Sequence, residues 1–336
     1  MKRRRVVAAI LVLGLGAVIV GCSSLSYYGQ AIRGGLEIVC KKRPITRLLA
    51  EPGLAPELRQ RLEVTRRIRN FAVSALALPD NASYRSYADL GRPYASWTVT
   101  AAPELSLTPV EWCFPIAGCV TYRGYFSPEG AERFAAGLKA RGYDVDVGGV
   151  AAFSTLGWFA DPLLNTFIDQ PDPDLAGLIF HELAHQVAYA GDDTVWNESF
   201  ATAVERVGVA RWLEAEGRAE EIAAWRRDLE REEAVLALLA AARERLAKVY
   251  AAPEGDEWKR GEKARVLGEL SERHGLGFNN ARLASFAAYH ELVSAFEALL
   301  AREAGNLPAF YARVRELSKR PAAERRALLN ENGPGS

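Results

Sequence analysis

The sequence predicts an α+β fold, with a small mixed sheet in its first half and a largely helical C-terminal part. Three observations lead there. Between Ala88 and Phe126, short runs rich in β-branched and aromatic residues read as strands, and Ser96-Trp97-Thr98-Val99-Thr100 alternates with a period of two. From Pro173 onward, apolar residues recur at helical spacing almost without a break. Pro171-Asp172-Pro173 punctuates the change of regime. The 336 residues, 49% of them hydrophobic, suffice for one large domain or two small ones.

Taken in order, Tyr27 to Cys40 reads as a helix weakened by Gly34-Gly35, and Pro56 to Leu78 as a longer one. Val110 to Cys113, Cys119 to Tyr125 and Asp144 to Phe153 read as strands. Ser127 is placed to cap a helix that opens on Pro128 and runs to about Arg141. Helices are then expected over about 173–190, 194–215, 217–250, 259–274, 279–303 and 307–329. The chain divides accordingly into residues 1–21 as a signal, 22–172 as a mixed α/β part and 173–336 as a helical part.

The N-terminus reads as an address. Lys2, Arg3, Arg4 and Arg5 precede an apolar run from Val6 to Val20, too short for a comfortable membrane span of about 20 residues. The run ends in Ile19-Val20-Gly21-Cys22, which resembles the bacterial lipobox, where the signal is cut before a cysteine that receives a lipid. That resemblance implies lipidation of Cys22 and a membrane partner through the lipid. With Ser23 next, the expected place is the outer membrane of the bacterial cell envelope, facing the periplasm.

Formal charge is balanced over the whole chain. Loss of the four leader cations leaves the rest at −4, with no basic stripe of the kind a nucleic-acid binder needs. In an oxidising compartment Cys113 and Cys119, flanking a plausible turn, are the expected disulfide, which leaves Cys40 over.

The chemistry concentrates in His181-Glu182-Leu183-Ala184-His185, an H-E-x-x-H motif in a helix. Residues four apart on a helix lie one above the other, so both imidazoles address one point, at a spacing that suits a single Zn2+ ion. Glu182 is placed to act as general base. The helix stops near Gly191, and a second helix carries Trp196-Asn197-Glu198-Ser199-Phe200-Ala201. So short a turn makes the two helices antiparallel neighbours. Glu198 then becomes the third metal ligand, and a fourth position stays open, as in a catalytic site.

These residues resemble the gluzincin metallopeptidases, above all the aminopeptidase N family, in which H-E-x-x-H is followed by Asn-Glu-Gly-Phe-Ala; here the second motif is Asn197-Glu198-Ser199-Phe200-Ala201. The departure is the spacer. Twelve residues separate His185 from Glu198, fewer than in that family, while Glu205, with 19 between, fits the longer count. Glu198 is preferred because its neighbours match. Glu205, two turns along, and Asn197 are then expected to orient the ligands. The whole chain also resembles a family of bacterial lipoproteins catalogued as predicted aminopeptidases. Trp112-Cys113-Phe114-Pro115, Ser154-Thr155-Leu156-Gly157-Trp158-Phe159 and Asn279-Asn280-Ala281-Arg282-Leu283 carry that likeness with the zinc motif.

The resemblance implies a zincin-like fold and a zinc-dependent peptidase, an aminopeptidase acting on peptide substrates. It also implies an oxyanion donor downstream of the motif, for which Tyr289 is chosen, with His290 as substitute. Val150 to Phe159 is the candidate edge strand against which a peptide would pair, with Ser154, Thr155 and Gly157 admitting close approach. Arg282 is the candidate for a substrate carboxylate. An aminopeptidase also needs an anion for the free α-amine, for which Asp161, Glu129 and Asp192 are available. The alternatives are an endopeptidase of envelope quality control and a non-enzymatic, zinc-stabilised peptide-binding lipoprotein.

Overall fold

In a computed structural model of the chain, residues 27–114, 118–152, 160–287 and 292–330 are described. Helix α1 covers 27–41. It is followed by β1 (Arg43–Pro44), α2 (Ile45–Leu49) and α3 (Pro56–Ser74). Next come β2 (Ser86–Ala88), β3 (Ser96–Pro103), β4 (Trp112–Phe114), β5 (Gly118–Val120), β6 (Tyr122–Tyr125), α4 (Pro128–Lys139), β7 (Tyr143–Val150) and β8 (Leu163–Leu164). From there the described chain is helical: α5 (Asp172–His185), α6 (Thr194–Ala215), α7 (Ala219–Ala251), α8 (Asp256–His274), α9 (Asn280–Ala287), α10 (Val293–Arg302), α11 (Leu307–Ser318) and α12 (Ala322–Asn330).

The α+β class holds, but among the described residues the strands form three small sheets in place of one. β3 is the centre of an antiparallel sheet ordered β6-β3-β7, in which Ser96 faces Val150 and Pro103 faces Tyr143. β1-β2-β8 mixes one antiparallel and one parallel pairing. β4 and β5 form a hairpin closed by the disulfide between Cys113 and Cys119. Cys40 is a free, exposed thiol. Ser127 caps α4 by accepting from the Gly130 amide.

The largest core draws Ile38, Leu62, Ile68 and Leu163 from before the Pro171 junction and Phe180, Leu183, Trp196, Phe200 and Phe296 from after it. The two halves of the sequence therefore share one interior. Two satellites flank it: β3, β6 and β7 pack on α4 around Val99, Tyr125 and Leu138, and α7, α8 and α9 meet around Leu246, Val266 and Leu283.

Three helix boundaries depart from expectation. α5 stops at His185, earlier than 190, because the Ala190 backbone bonds to the Asn197 side chain and not along a helix. The stretch expected as one helix over 279–303 contains two, α9 and α10, and the Leu292 amide before α10 donates to Ser199 Oγ. The stretch 307–329 breaks before Ala322, where Pro321 removes a backbone donor.

The start of α5 is pinned hard. Arg61 of α3 reaches Asp172 Oδ1 at 2.5 Å and the carbonyls of Ile168 and Gln170, while Arg218 reaches Asp172 Oδ2 at 3.1 Å. Asp172 in the first turn also complements the helix dipole. Held at this end, α5 carries the two histidines in its last turns.

Candidate functional site

Helix α5 is buried along Leu175, Ala176, Ile179, Phe180, Leu183 and Ala184, so its histidines emerge at a fixed angle. Two glycines let α6 come close. A Cβ on Gly208 would lie 2.6 Å from the Phe180 ring, and one on Gly177 would lie 2.9 Å from Glu205 Oε1. The connection is clamped by Asn197, whose side chain accepts from the Ala190 amide and donates to the Ala190 carbonyl, both at 2.7 Å. Asp193 caps α6 through the Trp196 amide. Trp196 and Phe200 then anchor α6 in the core against Phe296. Glu198, between these anchors, has one direction left to point.

That direction is the histidines. Glu198 Oε2 lies 3.2 Å from His181 Nε2 and 3.7 Å from His185 Nε2. The two rings are nearly perpendicular, at 83°, with centroids 4.9 Å apart. Ligand atoms of His181, His185 and Glu198 all lie within 4.8 Å of one another. Ligands about 2.0–2.1 Å from a tetrahedral zinc are about 3.3 Å apart, so the Glu198 spacings suit such an ion. Two imidazoles and one carboxylate are also the right donors for it. On the far side of His181, Glu205 Oε2 accepts from Nδ1 at 3.0 Å. A ring whose Nδ1–H is held this way presents the Nε2 lone pair to the common point. His185 Nδ1 is buried without a hydrogen-bond partner among the described residues.

Electrostatics of the metal-free chain fit this picture. Burial pulls His181 down, but its hydrogen bonds to Glu198 and Glu205 outweigh burial and push it up to about 10. His185 is pulled down to about 4 by burial and then by the His181 charge. Burial raises Glu198, yet the His181 bond and the charges of both rings leave it below the ordinary carboxylate range.

An open cleft runs along α5 on the Glu205 side of His181, lined by Gln170, Asp174, Leu178, His181, Glu182 and Glu205. Glu182 is therefore in the cleft, next to the first candidate ligand. Asp174 is exposed there, its pKa raised by partial desolvation and by the Glu205 charge. Tyr84 is fully buried, and its hydroxyl has no partner among the described residues. Its ring sits in the field of Glu182 and Asp161, and its backbone holds φ at +60°, a conformation that costs a bulky residue energy. Tyr122 and Tyr189, both partly exposed, lie in the field of Glu198.

The structure thus brings together His181, Glu182, His185, Glu198 and Glu205. Asn197 acts on the Ala190 backbone and orients no ligand directly. Arg282 does not present a free guanidinium: Nε binds Asp146 at 2.9 Å and Nη1 the Gly277 carbonyl at 2.7 Å, which ties α9 to β7. Asp192 is held by Arg325 at 2.6 Å, and Asp161 is buried. Ser154, Thr155, Gly157, Tyr289, His290 and Cys22 lie outside the described residues. Sequence reasoning missed Asp174 and Gly177, although both stand on the His181 stripe, at i−7 and i−4. Tyr84 and Tyr122 had no local signal, since only tertiary folding brings them near.

A family profile described as "Putative aminopeptidase" matches residues 26–329. The chain belongs to that family. The match takes in the three small sheets and nearly all the helices, so membership of this aminopeptidase family applies to the part of the chain that holds the cleft. No curated protein and no solved structure matches the chain.

Proposed function

We propose that this chain is a zinc-dependent aminopeptidase of the gluzincin type with a zincin-like catalytic core, anchored to the bacterial envelope through lipid on Cys22. The observation that carries the catalytic reading is the convergence of His181 Nε2, His185 Nε2 and Glu198 Oε2, with Glu182 next to His181 in the chain. Family membership supports the peptidase part of it.

His181, His185 and Glu198 would hold the ion, with Glu205 fixing the His181 tautomer. Bound there, zinc supplies a Lewis acid for the scissile carbonyl and lowers the pKa of a water toward about 7. Glu182 takes the proton of the attacking water and hands it to the leaving amine. Tyr289, or His290 in its place, is our choice of donor to the developing oxyanion.

Exopeptidase action needs an anion for the α-amine, and Asp174 supplies one. It lines the same cleft two turns before His181, and Glu205 reinforces the negative field. A peptide with a charged amino terminus gains from that field and an N-acetylated peptide does not. The test compares free and N-acetylated peptides on the zinc-loaded chain and on Asp174→Asn. Aminopeptidase action predicts cleavage of the free peptides alone, with KM raised about ten-fold or more in Asp174→Asn. Equal cleavage of both peptide sets would assign the chain to the endopeptidases. The expected address, the outer membrane facing the periplasm, rests on Cys22 and Ser23.

A further inference from the structure

Helix α1 presents an apolar stripe to solvent. Tyr28, Ile32, Leu36 and Val39 are 39%, 63%, 56% and 44% exposed. Spaced by four, four and three, they fall within one narrow arc of the helix. Scattered single exposures are ordinary on a protein surface, but four large apolar residues in register on one short helix are not scattered.

The helix cannot roll over to hide them. Its opposite face is pressed to the body, where a Cβ on Gly34 would collide with the Phe126 ring. Ile38 is buried in the main core. Gln30 straddles the end of β6, donating to the Gly124 carbonyl at 3.3 Å and accepting from the Phe126 amide at 2.9 Å. The stripe is held outward by construction.

What covers it is indicated by the chain that precedes it. Five residue steps separate Cys22 from Tyr27, a span of at most about 17 Å. A lipid on Cys22 therefore brings α1 to the bilayer surface whatever the orientation of the rest. Arg33 is exposed beside the stripe, and Lys41, Lys42 and Arg43 follow its end, although Lys41 also pairs with Glu37 and Arg43 with Glu51. An apolar face flanked by cations is the composition of a helix that lies in the interface of an anionic membrane.

We propose that the α1 stripe is a second membrane contact, which lies flat on an anionic phospholipid surface and fixes the orientation of the cleft relative to the bilayer. It rests on the lipid-anchor reading for its position, and on the exposed residues themselves for its chemistry. A single anchor would leave the body free to tumble; two contacts hold it.

The test uses the full chain, isolated from a bacterial envelope and reconstituted into vesicles of phosphatidylethanolamine and phosphatidylglycerol. The mass of the N-terminal peptide reads acylation of Cys22. Acylated Cys22 leaves Cys40, free and at the edge of the stripe, as the thiol to carry an environment-sensitive dye. Quenching by spin-labelled lipid should be several-fold stronger in the parent chain than in Ile32→Gln/Leu36→Gln, with peptide hydrolysis equal in the two. Acylated Cys22 with equal quenching in both proteins would overturn the proposal and leave the anchor standing. So would a detergent-solubilised dimer that the double substitution dissociates, because the stripe would then be a contact between copies. Unmodified Cys22 with the same difference in quenching would support the stripe and remove the anchor.

Discussion

His181 stands between two carboxylates, and a neutral imidazole can donate to only one of them. In the metal-free chain the ring resolves this by keeping both protons, which is why its pKa rises to about 10. Zinc must displace the Nε2 proton. Calorimetric titration of zinc near pH 8, in buffers of different ionisation enthalpy, should show release of about one proton per site. The same shifts set the pH dependence of the metal-free fold. His181 has a folded pKa above its ordinary 6.5, so its stabilisation is complete below about 6.5 and is lost as pH rises toward about 10. His185 has a folded pKa of about 4, so the unfolded chain takes up its proton first and stability falls as pH drops from 6.5 toward 4. On these two groups, thermal melting of the metal-free chain should peak near pH 6.5. Gly177 is the third lever at this scale. Gly177→Ala drives a methyl into Glu205, and loss of that support should weaken zinc affinity about 10- to 100-fold, measured by competition with a chelator.

At the scale of elements, the joint between α5 and α6 carries the site. Asn197→Ala leaves the Ala190 amide and carbonyl unpaired inside the protein and should cost roughly 2–4 kcal/mol in denaturant unfolding. Arg282→Ala should cost about 1 kcal/mol through Asp146 while leaving KM for peptides unchanged, since that guanidinium ties α9 to β7. The pair of helices was legible in advance. The spacing of His181 and His185 is a property of any helix, and the short turn to Asn197 admits only an antiparallel partner. Helix ends were less legible. The end of α5 depends on a side chain seven residues beyond Ala190, and the division before Val293 coincides with a bond to Ser199, distant in sequence. Periodicity reports the buried face of a helix, not the long-range bond that stops it.

Across the whole molecule, the change from strands to helices near Pro171 was readable from composition, but the single interior shared by both halves was not, because contacts such as Tyr311 Oη to the Leu76 carbonyl leave no local mark. The same limit hid Tyr84, which reaches the neighbourhood of Glu182 from a strained turn about a hundred residues upstream. The three proposed donors come from α5 and α6, and an ion held by them would couple these helices to the rest. A chelator should therefore lower the melting temperature of the whole chain in one transition, since a ligand bound only to the folded state stabilises all of it. The central claim is that the three donors hold zinc for Glu182 to use. It is tested most directly by measuring metal content and peptide hydrolysis together on the parent chain and on Glu182→Gln. We expect one zinc per chain in both, with turnover in Glu182→Gln reduced by roughly a hundred- to ten-thousand-fold. A parent chain that hydrolyses peptides without metal, or a Glu182→Gln chain that hydrolyses them as fast as the parent, would contradict it.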